Sequence, residues 1–576
     1  MSKIIYACTR RRLFDPPQAQ RLAEVCKRLE PDNATQSAHS CVVVNERVAF
    51  AVSGDHRPLT ENRSSVLLGI LYDGSTTWHE PLADFPDGSF AIFRDRRDCL
   101  EVVSDAAASR TIWYYFDDET FVASTSQRAI VMFVGGFCFD ERVIPWMIST
   151  GSLGPVLSWD TRLTRLPVDS SVILDKRAWS ISTRQVPVRF VEKSRTDQEH
   201  EALLRDAIVS AVAPLGTLDW GTWRLPLSGG YDSRGLLCFL RGDGSSADNL
   251  TTVTWGLAKS LSEDGNDARI AAQLAAVLGV RHEYYHTDPS GEAIESVVNR
   301  FLLCSEGRID HIAGYADGLA LWAQLQREGV EGIIRGDEAF GWSPVGSQRA
   351  VRHAVGCALC SDYANLEDAT NALGLPAQEL PADLQASDGE SLSAWRDRLY
   401  QTYRLPTILA ALSDLKFAYV EQASPLLSRQ VLNQVREMPD HLRTSKAAFK
   451  RIVDSVSPQV PYAVKGANVS PEQFLRTGPM SDLLTSTIRS DRAAGLLGPQ
   501  LQRFVIQGME RPGLRVRASV PALKAAVKRA VPNALQGMLQ RHAPLPVLDA
   551  YVMAFRVFII VRMRQALAKE STALRR

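Results

Sequence analysis

The hydrophobic pattern of the chain changes its period near residue 190, and this change restricts the fold more than any other feature. Before it, short apolar runs such as SCVVVNERVAFAV, GSFAIFRDR and TFVAST alternate with polar residues and end in polar turns. Such alternation is typical of antiparallel sheets. After it, Thr196 and Glu199 have the spacing of a helix capping box, and the next apolar residues recur at helical spacing. The sequence therefore predicts an α+β domain over residues 1–190 and a second domain over residues 191–576.

The second domain alternates strand-like and helix-like runs. The runs WRLPLS, NLTTVTWG, VRHEYYHT and VEGIIRG have the composition of strands, whereas SRGLLCFLRG and DARIAAQLAAVLG have the spacing of helices. Gly279 is a plausible C-cap of the second helix. This order predicts an α/β domain with a parallel sheet and crossover helices. After about residue 390 the chain is predicted to be largely helical.

Composition limits the partners. The 576 residues are too many for one compact core, which agrees with a multidomain chain. The formal net charge is zero, so no overall field attracts nucleic acid or an anionic membrane. The segment from Pro512 to Arg576 has twelve Lys and Arg against Asp549 and Glu570. A basic face balanced elsewhere in the fold is the favoured interpretation, and an acidic partner is the alternative.

The cysteines and apolar runs indicate a cytoplasmic protein. Nine cysteines at irregular spacing argue against a disulfide framework and for a reducing compartment. Cys357 and Cys360 form a C-x-x-C that is predicted on one helix face, with packing favoured over a metal or redox role. The N-terminus lacks a signal-peptide pattern. The run AYVMAFRVFIIVRM contains Arg556 and Arg562, so it is predicted to be a buried helix and not a membrane span.

The stretch LPLSGGYDSR has the properties of a phosphate-binding loop. Ligands of open parallel sheets bind beyond the carboxyl ends of the strands, where this stretch is predicted to lie. Gly229 and Gly230 allow backbone N–H groups to approach an anion, Ser228 and Ser233 add hydroxyls, and the next helix offers its N-terminus. Asp232 would repel phosphate without an intervening cation, which implies Mg²⁺. The alternative is a glycine-rich turn with an Asp N-cap.

Several motifs of the second domain resemble one enzyme superfamily. The run LSGGYDSR resembles the pyrophosphate loop of N-type ATP pyrophosphatases, and DARIAAQLAAVLG, RGDEAFG and VEQASPLLS resemble elements of asparagine synthetase-type domains. The resemblance implies an adenine-nucleotide α-hydrolase-like (PP-loop) synthetase domain that uses ATP and Mg²⁺. Its metal carboxylates would be Asp232 and Asp337. The implied residues for ATP and pyrophosphate are Leu227, Ser228, Gly229, Gly230, Asp232, Ser233, Thr254, Gly336 and Lys446.

The first domain resembles a glutamine amidotransferase, with departures at the residues that matter for hydrolysis. The runs DGSFAIFRD, SDAAASRTIWYY and FVAST match elements of that family, which implies an antiparallel β-sandwich of the N-terminal-nucleophile (Ntn) type. A working enzyme has Cys after Met1, but this chain has Ser2. The Asn and Glu that hold glutamine correspond to Leu68 and Ile70 in LGILYD. Glutamine hydrolysis is therefore not expected, and the domain is interpreted as a structural relic or docking surface.

Two branches of the superfamily that lack glutaminase activity suggest roles for three further residues. In β-lactam synthetases and lasso-peptide cyclases, ATP adenylates a carboxylate and an amine of the same molecule attacks it. Lys465 in PYAVKGANVS matches the catalytic lysine by position, with a surface lysine as the alternative. Glu421 is the candidate partner of the amine, with a structural ion pair equally favoured. Lys446 and Lys450 are predicted on one helix face, where Lys446 would contact phosphate or both would be surface charges.

These features together predict an ATP-dependent amide ligase. Closure of a macrolactam ring in a lasso-type peptide is favoured, with the precursor peptide as substrate and a leader-binding protein and a leader protease as further candidate partners. β-Lactam synthetases have Tyr where this chain has Ile334, and asparagine synthetases have Glu there. An asparagine synthetase or a related ligase is the alternative enzyme. A non-catalytic scaffold is disfavoured because a scaffold has no need of Asp232 and Asp337.

Overall fold

The computed structural model describes residues 3–35, 41–54, 59–61, 64–242, 249–468, 470–510 and 543–574. Ser2 and residues 511–542 of the basic C-terminal segment lie outside these ranges, so the expectations that rest on them have no structural counterpart.

The first domain contains two antiparallel sheets of six strands each. The first sheet has the order β10-β8-β9-β1-β3-β2 and the second has the order β12-β11-β7-β6-β5-β4. The strands are Ile4–Thr9 (β1), Cys41–Asn45 (β2), Val48–Val52 (β3), Leu59–Glu61 (β4), Ser65–Leu71 (β5), Gly88–Asp95 (β6), Cys99–Ser104 (β7), Trp113–Phe116 (β8), Thr120–Ser124 (β9), Thr164–Arg165 (β10), Ser170–Asp175 (β11) and Ser180–Gln185 (β12).

The two sheets pack face to face, because apolar residues of both sheets form one core. Tyr6 of β1 stacks on Phe50 of β3 and on Phe93 of β6, with ring centroids 5.6 and 5.3 Å apart. Leu68 lies in the same core. The predicted antiparallel β-sandwich is therefore present.

The second domain contains a parallel sheet with the order β15-β14-β13-β16-β17, as predicted. β17 lies in the region that was predicted to be largely helical. The strands are Trp223–Pro226 (β13), Thr251–Gly256 (β14), Arg281–His286 (β15), Gly332–Ile334 (β16) and Glu421–Ala423 (β17).

Helices cover both sheet systems and make up most of the chain after residue 390. A π-helical segment, Tyr400–Leu409, joins two of them. The α-helices are Pro16–Leu29 (α1), Gln127–Val134 (α2), Val143–Thr150 (α3), Asp197–Val212 (α4), Tyr231–Arg241 (α5), Asp267–Val277 (α6), Ile294–Ser305 (α7), Ala320–Arg327 (α8), Gln348–Val355 (α9), Ala369–Leu373 (α10), Leu392–Leu399 (α11), Ala410–Phe417 (α12), Arg429–Glu437 (α13), Asp440–Arg443 (α14), Ala447–Val456 (α15), Pro471–Leu475 (α16), Gly478–Ile488 (α17), Asp491–Leu497 (α18), Pro499–Glu510 (α19) and Ala550–Glu570 (α20).

The apolar run near the C-terminus forms α20, a buried helix as predicted. Phe555 and Phe558 are almost fully buried in the apolar core that also contains Ile5 of the sandwich. Arg556 donates to the carbonyl of Ile148 in α3 at 2.8 Å. One core thus joins the C-terminal helix to the N-terminal domain. Among the residues described, no helix combines the length and the apolar character that crossing a bilayer requires.

The C-x-x-C does not lie on a helix face, so that expectation was wrong. Helix α9 ends at Val355, and Gly356 continues the chain in the left-handed conformation with φ of 79°. Cys357 then lies in an extended segment, and Cys360 begins a single 3₁₀ turn. Both thiols are free and buried.

Candidate functional site

The predicted phosphate-binding loop lies between β13 and α5, at the carboxyl end of the parallel sheet. Leu227 continues the ladder, because its N–H donates to the carbonyl of Val253 at 2.8 Å. The chain then turns, and the Ser228 and Ser233 hydroxyls lie 2.9 Å apart. The N–H of Gly230 donates to the Ser228 hydroxyl at 3.3 Å. The loop is therefore closed by its own serines at the start of a helix, where the positive end of the helix dipole lies.

Gly229 has no room for a side chain. A Cβ there would lie 2.7 Å from the Cβ of Ala463 and 2.9 Å from Ile270. The N–H of Gly229 donates to a carboxylate oxygen of Asp267 at 2.8 Å, and its carbonyl accepts from the N–H of Ala463 at 3.0 Å. Three segments that are distant in the sequence therefore meet at this residue.

We expect Gly229→Ala to destabilise the protein by about 1–3 kcal/mol, the usual cost of forcing extra volume into a packed site. The new methyl group must displace either the loop or the segment that carries Ala463. Chemical denaturation measures the change in the free energy of unfolding. Gly216→Ala is the matched control, because a Cβ at Gly216 meets nothing within 4 Å. Equal stability of both variants would contradict the close packing at Gly229.

A cavity of about 290 Å³ opens beside the loop. The structure brings many of the residues predicted from the sequence to this one cavity, while Gly229, Gly230, Lys446, Lys465 and Glu421 are not among its lining residues. Larger cavities of about 540, 640 and 770 Å³ elsewhere in the described part of the chain lack these residues. The predicted residues that line the cavity are Leu227, Ser228, Asp232, Ser233, Thr254, Gly336 and Asp337.

The ammonium of Lys446 pairs with two carboxylates at the N-terminus of α5. Its ammonium lies 2.9 Å from both carboxylate oxygens of Asp232 and 2.7 Å from Glu338. Burial raises the pKa of Glu338 to about 7, and Asp232 adds to this effect although Lys446 opposes it. Burial alone would lower the pKa of Lys446, but Glu338 and Asp232 hold it above its ordinary value. This cluster holds one cation between three carboxylate oxygens.

Lys446 does not share a helix with Lys450, so the prediction of a common helix face was wrong. Ser445 and Lys446 have φ of 60° and 59°, and α15 begins only at Ala447. The left-handed region is costly for residues other than glycine, and such strain clusters at functional sites. The N–H of Ser445 donates to the carbonyl of Trp342 at 2.8 Å. The kink turns Lys446 toward Asp232, whereas Lys450 lies 5.3 Å from the ring centroid of Tyr231.

Asp337 is paired with Arg335. The Nη2 and Nε atoms of Arg335 lie 3.1 and 3.4 Å from the two carboxylate oxygens. Burial would raise the pKa of Asp337, but Arg335 lowers it below its ordinary value. Gly336 lies between the two residues, and a Cβ there would come within 3.0 Å of the Ser233 N–H. A glycine is therefore needed for the two loops to approach.

The donor set fits a divalent cation that arrives with a phosphate ligand. In the described part of the chain, no three His, Cys, Asp or Glu side chains are grouped closely enough to hold a metal. Mg²⁺ in nucleotide sites is held by one or two carboxylates together with phosphates and water. Asp232 and Asp337 line the cavity and are two such carboxylates. The ammonium of Lys446 shows that the oxygens around Asp232 already hold a cation.

Lys465 lies in a loop that is fastened to the phosphate-binding loop by its backbone. Its N–H donates to the carbonyl of Gly265 at 3.1 Å, and its carbonyl accepts from Asp267 at 2.9 Å. Its side chain is exposed, while Ala467 and Asn468 of the same loop line the cavity. The structure therefore places this lysine near the cavity and not in its wall.

Side chains of helix α5 hold the loop that contains Lys465. Arg234 is buried and donates to the carbonyls of Val460 and Pro461 at 2.8 and 2.7 Å. Its guanidinium stacks 3.9 Å above the ring of Tyr462, which also stacks on Tyr231 with centroids 3.9 Å apart. The phosphate-binding loop and the loop of Lys465 are therefore held by the same helix.

Glu421 pairs with the first domain instead of facing the cavity. Its carboxylate accepts from Arg110, and both side chains are almost fully buried. The guanidinium of Arg110 lies 3.8 Å above the ring of Phe417. The nearby backbone N–H of Ser424 donates to the hydroxyl of Tyr72 at 2.9 Å. The segment around β17 is thus a contact between the sandwich and the parallel sheet.

Sequence reasoning gave no role to four residues of the site. Glu338 and Arg335 flank Asp337 within RGDEAFG, Trp255 follows Thr254, and Asp267 begins α6. Asp267 and Trp255 line the cavity, and burial raises the pKa of Asp267. The charged residues beside Asp337 were visible in the motif, whereas the contact of Asp267 with Gly229 depends on the meeting of distant segments.

Comparison with known proteins gives no family for this chain, because no family model and no curated protein matches it. Two solved structures that match are an allosteric regulatory enzyme of purine biosynthesis and the glutamine phosphoribosylpyrophosphate amidotransferase of B. subtilis with ADP and GMP. The first is 9% identical and covers 50% of this chain and 81% of its own, with a TM-score of 0.22. The second is 10% identical and covers 60% and 82%, with a TM-score of 0.20. Scores this low show neither a common fold nor a common activity.

Proposed function

We propose that the protein is an ATP- and Mg²⁺-dependent ligase that forms an amide bond through an acyl adenylate. One observation carries this proposal. The phosphate-binding loop, the carboxylates Asp232 and Asp337 and the hydroxyl residue Thr254 converge on one cavity at the carboxyl end of a parallel sheet. Ligands of such sheets bind at this position.

The residues of the cavity have roles that follow from their chemistry. The start of α5 and the hydroxyls of Ser228 and Ser233 would bind the pyrophosphate part of ATP. Asp232 and Asp337 would hold Mg²⁺, which offsets the phosphate charge when bound. Lys446 keeps Asp232 in place and would donate to a phosphate oxygen once the metal replaces it there.

The second half-reaction needs an amine and a cation near the adenylated carbonyl. Lys465 lies on the loop that also carries the cavity residues Ala467 and Asn468, and its ammonium would stabilise the developing oxyanion. Glu421 is paired with Arg110, which favours its structural reading over a role with the amine. The finer proposal is closure of a macrolactam ring in a precursor peptide, by attack of the peptide's own N-terminal amine.

The positions that hold glutamine in amidotransferases support an amine on the substrate itself. Leu68 is buried in the sandwich core. Ile70 packs against the apolar core of the parallel sheet. Neither side chain can bind an amide, so ammonia from glutamine is not proposed.

Release of pyrophosphate tests the function. We expect release with Mg·ATP and synthetic peptides that have a free N-terminal amine and an internal Asp or Glu, together with loss of one water from the peptide by mass spectrometry. Acetylation of the peptide's N-terminus should prevent the ring but not the first half-reaction. Release with free aspartate and ammonia instead would support an asparagine synthetase-like enzyme. If the wild type released no more pyrophosphate than Asp232→Ala with any of these substrates, both ligase functions would be contradicted.

A further inference from the structure

Arg335 has unused hydrogen-bond donors at the cavity. It lines the cavity just after β16, on the side of β13 that lies away from β14. Asp337 takes its Nε and one Nη2 hydrogen. In the described parts of the chain, the guanidinium has no other hydrogen-bond partner. A guanidinium has five N–H donors in a planar fork, so a free edge remains for a planar anion.

The amine of Lys416 is a second basic group, and its charge interacts with that of Arg335. Lys416 of α12 is buried, and its ammonium donates to the carbonyl of Leu412 at 2.7 Å. It also lies 5.9 and 5.7 Å from the ring centroids of Tyr315 and Trp322. Burial, with a contribution from Arg335, lowers the pKa of Lys416 to about 7.

The charges of the cavity are therefore divided. Near β13 and α5 the ammonium of Lys446 pairs with Asp232 and Glu338, and the carboxylate of Asp267 accepts from the Gly229 N–H. Near β16 the cations Arg335 and Lys416 have Asp337 between them, since the neighbouring Asp414 pairs with Arg308 at 2.9 Å. The metal and phosphates would lie between Asp232 and Asp337, and the donors of Arg335 that Asp337 leaves unused suit a carboxylate.

Two tryptophans lie on the β14 side of the cavity. Trp255 lines the cavity, and Trp322 packs against it edge to face with centroids 5.2 Å apart. Trp322 also faces Lys416. The peptide that carries a carboxylate bound at Arg335 would therefore meet an apolar surface on the β14 side of the same cavity, where its methylene groups lose contact with water.

We propose that Arg335 binds the substrate carboxylate that is to be activated, an Asp or Glu side chain of the peptide. The inference rests on the proposed function and assigns its acceptor subsite. The free edge of the guanidinium holds one carboxylate oxygen, while the other attacks the α-phosphorus of ATP. An O–P bond forms, the bond from the α-phosphorus to the bridging oxygen breaks, and pyrophosphate leaves with that electron pair.

Binding of small probes tests this assignment without turnover. The probes are N-acetyl-glutamate N-methylamide, with one free carboxylate, and its glutamine counterpart, measured by ligand-observed NMR with a non-hydrolysable Mg·ATP analogue. Wild type is expected to bind the carboxylate probe about 10- to 100-fold more tightly, as for a charged hydrogen-bonded pair. Arg335→Gln should bind the two probes equally, and Arg335→Lys should recover part of the preference.

Arg281→Gln is the matched control. It removes an arginine that is 75% exposed on β15, at the edge of the same sheet, and it should leave the preference unchanged. The inference would be overturned if the wild type bound the two probes equally. It would also be overturned if Arg335→Gln still preferred the carboxylate probe but no longer bound the ATP analogue. A carboxylate preference that depends on Arg335, in a protein that releases no pyrophosphate, would support the subsite and contradict the ligase.

Discussion

Replacement of Asp232 by asparagine is expected to lower Mg·ATP-dependent pyrophosphate release by about 10²- to 10³-fold. A metal stabilises transition-state charge by several kcal/mol, and each 1.36 kcal/mol is a factor of ten in rate. Asparagine keeps the size of the side chain, so the loop should stay folded. Lys446 would still pair with Glu338, which lies 2.7 Å from its ammonium in the wild type.

A thermal shift separates binding from catalysis in this variant. Mg·ATP at a hundred times its Kd should stabilise the wild type by about 2.7 kcal/mol, and Asp232→Asn should lose most of that gain. Removal of Mg²⁺ with a chelator should reduce the shift of the wild type to that of the variant. Asp264→Asn is the control, because this nearby carboxylate is 92% exposed and lies outside the cavity. An undiminished shift in Asp232→Asn would show that Asp232 is not needed for the metal–nucleotide complex.

The local part of the site could be predicted from the sequence because its signals are short-range. The strand, the two glycines, Asp232 and the start of α5 follow one another within LPLSGGYDSR. Strand period and turn chemistry predict the end of β13, and the parallel sheet then determines the side on which ligands bind. The sandwich was also predictable, since period-two alternation is repeated in strand after strand.

The rest of the site depends on contacts between distant residues. Lys446 bonds to Asp232, which is 214 positions away in the sequence. The left-handed turn at Ser445 and Lys446 contains no glycine, so the sequence does not indicate it. Helical spacing therefore predicted a common face for Lys446 and Lys450. Glu421 has its partner 311 positions away in the first domain. A motif match names such a residue, but only the fold decides whether it faces a ligand or another domain.

The buried pair of Glu421 and Arg110 is expected to give the largest change in stability. Removal of one partner from a buried ion pair leaves an uncompensated charge and typically costs 3–5 kcal/mol, so Glu421→Gln should lower the free energy of unfolding by about that amount. The double variant Glu421→Gln with Arg110→Met should recover much of the loss, because neither charge of the pair remains. Glu437→Gln is the control. Its carboxylate pairs with Arg195 where both side chains are 30% exposed, and it should cost at most about 1 kcal/mol.

Activity of the same variants separates the two interpretations of Glu421, a structural ion pair and a proton acceptor for the attacking amine. If Glu421 serves only the contact between the domains, the double variant should recover pyrophosphate release together with stability, since the β17 segment regains its position. If Glu421 instead accepts a proton from the attacking amine, Glu421→Gln should stay folded, release pyrophosphate normally and form no amide. The structural reading is favoured because the carboxylate lies outside the cavity wall and against a guanidinium that also stacks on Phe417. A stable Glu421→Gln protein that adenylates without closing the ring would overturn it.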